Sequence, residues 1–147
     1  EEWLVKNNNL INHLDLEIIS AVSKESLRSA VSTKNPDGVA AIVQKSALKA
    51  CTFDKEDDFI LVLDRIQDPG NLGNLFRTAL AAGVNKVLLG GGASPFNQKV
   101  LRSSCGSIFH LPFHRIEGNE EEICDELLDV LKVISKDMNY SQMIVIQ

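Results

Sequence analysis

The chain has 147 residues, 44% hydrophobic and 24% charged, with a formal net charge of -5. That is the composition of one ordinary folded domain, or of one domain plus part of another. No apolar run approaches the length of a membrane span, and Cys51, Cys105 and Cys124 are too scattered for a disulfide framework or a zinc ribbon.

Taken in chain order, Leu16 to Val22 is rich in Ile, Leu and Val. A helix is expected from Ser23-Lys24-Glu25-Ser26, with Leu27, Ala30 and Val31 on one face. Asn35-Pro36-Asp37-Gly38 is a turn signal, and Val39 to Val43 reads as a short buried strand. Residues 45–58 end in Asp54-Lys55-Glu56-Asp57-Asp58 and read as a linker, which divides the chain into 1–44, 45–58 and 59–147. The opening Glu1-Glu2-Trp3 has neither an initiating Met nor a signal-peptide pattern, as in a mature form or a fragment.

From Phe59 the pattern is regular. Phe59–Leu63 is a continuous apolar strand of the kind buried on both faces of a parallel sheet. A helix is predicted from about Asn71 to Ala82, ended by Gly83, then a strand Lys86–Leu89 followed by Gly90-Gly91-Gly92. Ser94-Pro95 has the chemistry of a helix start, and that helix should end near Gly106. Phe109, Leu111 and Phe113 alternate as a third strand, so His110 and His114, with Pro112 between them, are not expected to hold a metal. Asn119-Glu120-Glu121-Glu122 opens a helix as a capping box, with Ile123, Leu127, Leu131 and Ile134 as its buried stripe. Met143–Ile146 is a fourth strand. Strands alternating with helices predict an α/β fold with a parallel sheet.

Charge and glycine placement point to the loop after the first strand. Between Pro69 and Ile116 there is no acid, while Arg77, Lys86, Lys99, Arg102 and Arg115 make the stretch +5 within a chain of -5. Such an island is either the footprint of a phosphate-bearing ligand or an α/β core with few acids in its middle. Ligands of open parallel sheets sit beyond the carboxyl ends of the strands, and Gly70 and Gly73 let backbone approach one closely. Asn71 can cap the following helix, whose unpaired N–H groups would suit an anion, or bond a ligand with its amide. Leu72, Leu75, Phe76 and Ala79 form the packed stripe, and Arg77, about 200° around from Leu75, should point away from the core. The dinucleotide fingerprint Gly-x-Gly-x-x-Gly is not met.

The run Asn71-Leu72-Gly73-Asn74-Leu75-Phe76-Arg77-Thr78-Ala79, preceded by Asp64 and Asp68-Pro69-Gly70, resembles the first motif of the SpoU family, RNA ribose 2′-O-methyltransferases of the SPOUT (trefoil-knot) superfamily. Ser94-Pro95-Phe96-Asn97-Gln98-Lys99-Val100-Leu101-Arg102-Ser103-Ser104-Cys105-Gly106, running on into Phe109-His110-Leu111-Pro112, is similar to the segment that follows it there. Pro36 to Val43 is similar to the end of the small RNA-binding domain that precedes the methyltransferase core. The resemblance implies that 1–44 is the C-terminal part of an RNA-binding substrate domain. It implies that 59–147 is the N-terminal part of a Rossmann-like SPOUT core, incomplete at its C-terminus.

It also implies transfer of a methyl group from S-adenosylmethionine to a ribose 2′-hydroxyl of tRNA or rRNA. The arginine matching Arg77 stands at that hydroxyl in the family. A guanidinium stays protonated at ordinary pH, so Arg77 is expected to polarise the hydroxyl or clamp the adjacent phosphate. Asn71 would shape the same loop as the second catalytic residue, and Lys99, Arg102, Asn74 and Ser104 would hold RNA. The family's cofactor loops have no counterpart before Gln147, and Gly118-Asn119-Glu120-Glu121 matches one of them only in part. The S-adenosylmethionine site is therefore expected beyond Gln147, with none bound by this chain alone. The complete enzyme is expected to be an intracellular homodimer, in the cytoplasm or an organelle. Two other readings stand beside this one: a non-catalytic RNA-binding module derived from such an enzyme, and an unrelated receiver-like domain with Asp64 at a strand end.

Overall fold

In the computed structural model, residues 6, 9, 19–31, 33, 35–44, 51–53, 57, 59–137 and 142–147 are described. The chain divides into two compact units, Glu1–Lys45 and Ser46–Gln147.

In the first unit the expected helix forms as α1, Lys24–Ala30. The Ser23 hydroxyl accepts from the Ser26 N–H at 3.1 Å and satisfies one of the donors that every helix start leaves open. The strand expected at Val39–Val43 does not form: the backbone is irregular there and Ile42 is 103% exposed. A strand is stable only with ladder partners and a face to bury, and no strand pairs with this stretch among the described residues. Of the apolar run Leu16 to Val22, residues 16–18 lie outside the described residues, and 19–22 are irregular.

The second unit is an α/β layer structure built on four parallel strands, as the alternation of elements predicts. They are β1 (Phe59–Asp64), β2 (Lys86–Gly90), β3 (Phe113–Ile116) and β4 (Gln142–Ile146), in the order β3-β2-β1-β4. Register is fixed by Leu61 opposite Val87 and Ile144, and by Leu88 opposite His114. Side chains alternate across a strand, so Leu61, Leu63, Val87 and Leu89 pack on one face and Ile60, Val62, Leu88 and Ile116 on the other. The helices α2 (Pro69–Ala81) and α3 (Gln98–Ser103) lie on the first face, through Leu72, Phe76, Ala79 and Val100. Helix α4 (Glu120–Asp137) carries the chain back past β2 and β1 to β4, and covers the second face with Ile123 and Ile134. Reversal of direction at β1 places the topological switch point between β1 and β4.

Three element boundaries differ from the sequence reading. Helix α2 begins at Pro69 and is capped by Asp68, not Asn71. Asn97 caps α3 by accepting from the Lys99 N–H at 2.8 Å, while Ser94 closes a preceding turn by accepting from the Phe96 N–H at 3.3 Å. Ser-Pro serves turns and helix starts alike, so its chemistry does not choose between them. The alternation from Phe109 is not a strand: after left-handed Gly106 (φ 87°), Ser107–Phe109 forms a 3-10 turn, and β3 starts only at Phe113. Positions three apart eclipse in such a turn, which buries Ile108 and Leu111 together and leaves Phe109 exposed.

The capping box at α4 forms as read. The Asn119 side chain accepts from the Glu122 N–H at 3.0 Å, and the Glu122 carboxylate accepts from the Asn119 N–H at 2.9 Å. The described part of the segment read as a linker is attached to the sheet. Phe53 packs on the α4 side, and Asp57 ion-pairs at 2.7 Å with Lys86, whose ammonium also donates to the Thr52 carbonyl.

Candidate active site

The carboxyl ends of the strands form a hydrogen-bonded platform. The Arg65 N–H donates to the Gly90 carbonyl at 2.7 Å, Ala93 N–H to Ile66 at 2.8 Å, and Gly91 N–H to Ile116 at 3.2 Å. The Arg115 guanidinium donates to the Gly92 carbonyl at 3.2 Å. Gly92 (φ 73°) must be glycine, because a Cβ would stand 2.6 Å from the Ile66 carbonyl oxygen. The loops after β1 and β2 are thus held to each other and to the end of β3. Asp64, the residue behind the receiver-like reading, takes Arg65 through both carboxylate oxygens at 2.9 and 2.8 Å. No cluster of His, Cys, Asp or Glu suited to a metal occurs among the described residues.

Helix α2 rises from this platform. Asp68 Oδ1 accepts from the Asn71 N–H at 2.8 Å and Oδ2 from Lys99 Nζ at 3.2 Å. The Asn71 amide first, and Lys99 second, hold the Asp68 carboxyl below the usual carboxylate range. The helix N-terminus expected to receive an external anion is therefore occupied by the protein's own carboxylate. Asn71 keeps its exposed side chain but loses the capping role.

Helix α3 runs alongside α2 in backbone contact. A Cβ at Gly73 would lie 1.9 Å from Ser103 Oγ, 2.7 Å from the Val100 carbonyl oxygen and 2.8 Å from the Ser104 nitrogen. Farther along, Arg77 Nη1 stands 4.0 Å from Cys105 Sγ. Gly70, Gly73 and Arg77 are spaced i, i+3, i+7, so one stripe of α2 faces α3 along its length. Arg77 is exposed, as expected, yet it lies beside the end of α3 instead of standing alone in solvent. Gly73→Ala is expected to cost about 1–3 kcal/mol, because the helices must separate to admit the methyl group. Urea unfolding checks this, and an unchanged midpoint would contradict the close contact.

The other predicted site residues separate. Asn74 is exposed on α2 and Arg102 on α3. Ser104 is 0% exposed, and its hydroxyl donates to the Leu101 carbonyl at 2.9 Å, so it packs the helix junction. Within the basic island, Lys86 sits at the opposite, amino end of the sheet with Asp57. Arg115 is bound inward to Gly92, with its Nε buried and without a hydrogen-bond acceptor, 3.7 Å from Glu117. The island is thus partly architecture. Asp68 and Cys105 were not singled out from the sequence. For Asp68 the signal was present, since Asp-Pro is a cap followed by a first-turn proline; for Cys105 there was none.

The stretch Gly118–Glu121, which matches a family cofactor loop only in part, is built as a capping box. The Asn119 side chain and the Glu122 carboxylate are spent on each other's backbone, and Glu122 Oε2 stands 2.6 Å from where a Gly118 Cβ would be. It is a helix cap.

Residues 58–144 match the SpoU rRNA Methylase family. The chain is 41% identical over 130 residues to the 23S rRNA (guanosine(2553)-2′-O)-methyltransferase RlmP of Bacillus subtilis, covering 86% of this chain and 50% of that protein. It is 39% identical over 119 residues to an uncharacterized tRNA/rRNA methyltransferase of Synechocystis, covering 79% of this chain and 43% of the relative. A crystal structure of an RNA 2′-O ribose methyltransferase superposes with a TM-score of 0.56 at 30% identity, covering 75% of this chain and 41% of that one. The chain spans about half the length of the curated relatives it matches. A family match over most of the second unit, with the strand–turn–helix of residues 59–81 inside it, settles the assignment: the chain belongs to the SpoU rRNA methylase family.

Proposed function

We propose that the protein is an RNA 2′-O-methyltransferase, with this chain supplying the layer that faces the ribose. The observation that carries the reading is the 41% identity to an rRNA guanosine 2′-O-methyltransferase over 86% of the chain. The span of that likeness includes the α2–α3 layer, where Arg77 stands exposed at one end.

When bound to the whole protein, S-adenosylmethionine supplies an electrophilic methyl group. The work left to these residues is to place the 2′-hydroxyl and favour loss of its proton. A guanidinium offers donors and no acceptor, so Arg77 acts as a donor: its N–H groups stabilise the oxygen as negative charge develops, or hold the neighbouring phosphate in line. Asn71 offers an exposed amide one turn from the platform, and Asn74 and Arg102 extend the polar surface along which RNA lies. The buried stripe of Leu72, Phe76 and Ala79 fixes α2, so that Arg77 is presented from a rigid element. We further propose a homodimer for the complete enzyme and, since its substrate is RNA, a place inside the cell.

Incubating the complete protein with methyl-labelled S-adenosylmethionine and rRNA or tRNA tests the reading. Label should enter RNA and be lost when the target nucleotide is replaced by its 2′-deoxy form. Label that persists in the deoxy substrate would move the chemistry to a base. The chain of 147 residues alone should show no heat of S-adenosylmethionine binding at micromolar concentration in calorimetric titration. Measurable affinity there would place the cofactor pocket within it.

A further inference from the structure

Asp68 and Lys99 stand at the end of the α2–α3 pair opposite Arg77. We propose that Asp68 is a positioning residue for this surface, and that Lys99 is committed to Asp68 and is not a phosphate contact. The inference rests on the RNA-binding reading above and deepens it, by assigning which end of the helix pair holds the RNA backbone.

The carboxylate divides its work. Oδ1 holds the first turn of α2 through the Asn71 N–H, and Oδ2 holds α3 through the lysine ammonium. Lys99 is anchored at its root as well, because its own N–H donates to the Asn97 cap. Its side chain crosses directly over Gly70: a Cβ there would come within 3.2 Å of Lys99 Cε and 3.4 Å of Nζ, so the glycine is what gives the lysine its path to Asp68. Both side chains are about half exposed, 55% and 48%, so the pair faces the surface an RNA would use. A phosphate arriving there meets a carboxylate 3.2 Å from the ammonium, a locally neutral group with a repelling oxygen. RNA is thereby drawn toward Arg77 and Arg102 at the other end. The ion pair also ties the first turn of α2 to α3, which fixes how the helix that carries Asn71 and Arg77 lies against its neighbour.

The test is a double-mutant cycle in the full-length protein, read with a fluorescein-labelled oligouridylate and with methyl-transfer kinetics. Asp68→Asn keeps the cap, since asparagine caps as well as aspartate, and removes only the charge. It should tighten oligouridylate binding about two- to fivefold, the fold-change of an exposed ion-pair coupling. It should also steepen the salt dependence by about 0.7, one further single-strand phosphate contact. In turnover, kcat and KM for RNA should fall together, a split that simple destabilisation does not produce. Lys99→Gln should leave binding nearly unchanged in the otherwise native protein, yet cancel the gain in the Asp68→Asn background. Asp68→Ser, a second cap-competent variant, guards against a fold effect and should match Asp68→Asn in binding. Lys99→Gln weakening RNA equally in both backgrounds overturns the inference alone. Absence of RNA binding in every variant, native protein included, overturns the functional reading and this inference with it.

Discussion

Arg77→Ala in the complete protein is expected to reduce methyl transfer by about 10²-fold or more, the scale of losing one preorganised donor at a developing oxyanion. Its stability should change by no more than about 0.5 kcal/mol, as for an exposed position without core contacts. The side chain is exposed and touches Cys105 only at 4.0 Å, so truncation opens no cavity. The contrast lies on the opposite side of the same helix. Leu72 is buried in the α2 cluster, and Leu72→Ala should cost about 2–5 kcal/mol and reduce activity only as far as it unfolds the protein. Methyl transfer and thermal unfolding measured on the same preparations separate the two effects. An Arg77→Ala enzyme of full activity would return the arginine to an ordinary surface residue.

The largest loss of stability from a single polar change is expected at Lys86. Its side chain and that of Asp57 are 14% and 7% exposed, and the two lie 2.7 Å apart at the amino end of β2. Lys86→Ala removes one partner of a buried ion pair, which should cost about 3–5 kcal/mol. Replacing both partners with apolar residues of similar volume, Lys86→Met with Asp57→Leu, should recover most of that loss, because the desolvation cost disappears with the charges. Chemical denaturation of the two variants checks this. A mild single variant, or a double variant no better than the single, would show that the pair is not what holds Asp57 to the sheet.

Much of the sheet was legible because its signals are local. Phe59–Leu63 is apolar at every position, as a strand covered on both faces requires, and Asn119 to Glu122 spells a capping box whose two hydrogen bonds form as read. What failed depended on distant partners. Val39–Val43 has strand composition but no ladder to join among the described residues. Asn71 and Asp68 are both competent caps, and the choice fell to Pro69, which is suited to the first helical position. Phe109 and Leu111 alternate like a strand, but left-handed Gly106 starts a 3-10 turn in which the period is three.

The site was legible in part. The exposure of Arg77 follows from helical periodicity alone, whereas its approach to Cys105 and the contact at Gly73 depend on how α3 lies against α2. Ser104, expected to hold RNA, is fully buried. Its hydroxyl is internal to the junction, and nothing in residues 94–106 read singly distinguishes it from the surface positions around it. The basic island likewise mixed roles: the predicted strand already starts at Lys86, but linear spacing does not reveal that its ammonium pairs with Asp57 at that end of the sheet.

Methyl transfer to a ribose oxygen beside Arg77 is the chemical step on which the proposed function depends. Alkali cleaves RNA through attack by the 2′-hydroxyl, so a methyl group there makes the adjacent bond resistant. The most direct measurement digests the labelled RNA with alkali after reaction with native and Arg77→Ala protein. Label from the native enzyme should appear in alkali-resistant dinucleotides and be absent with the variant. Label released in mononucleotides, or equal resistant product from both proteins, would contradict the account.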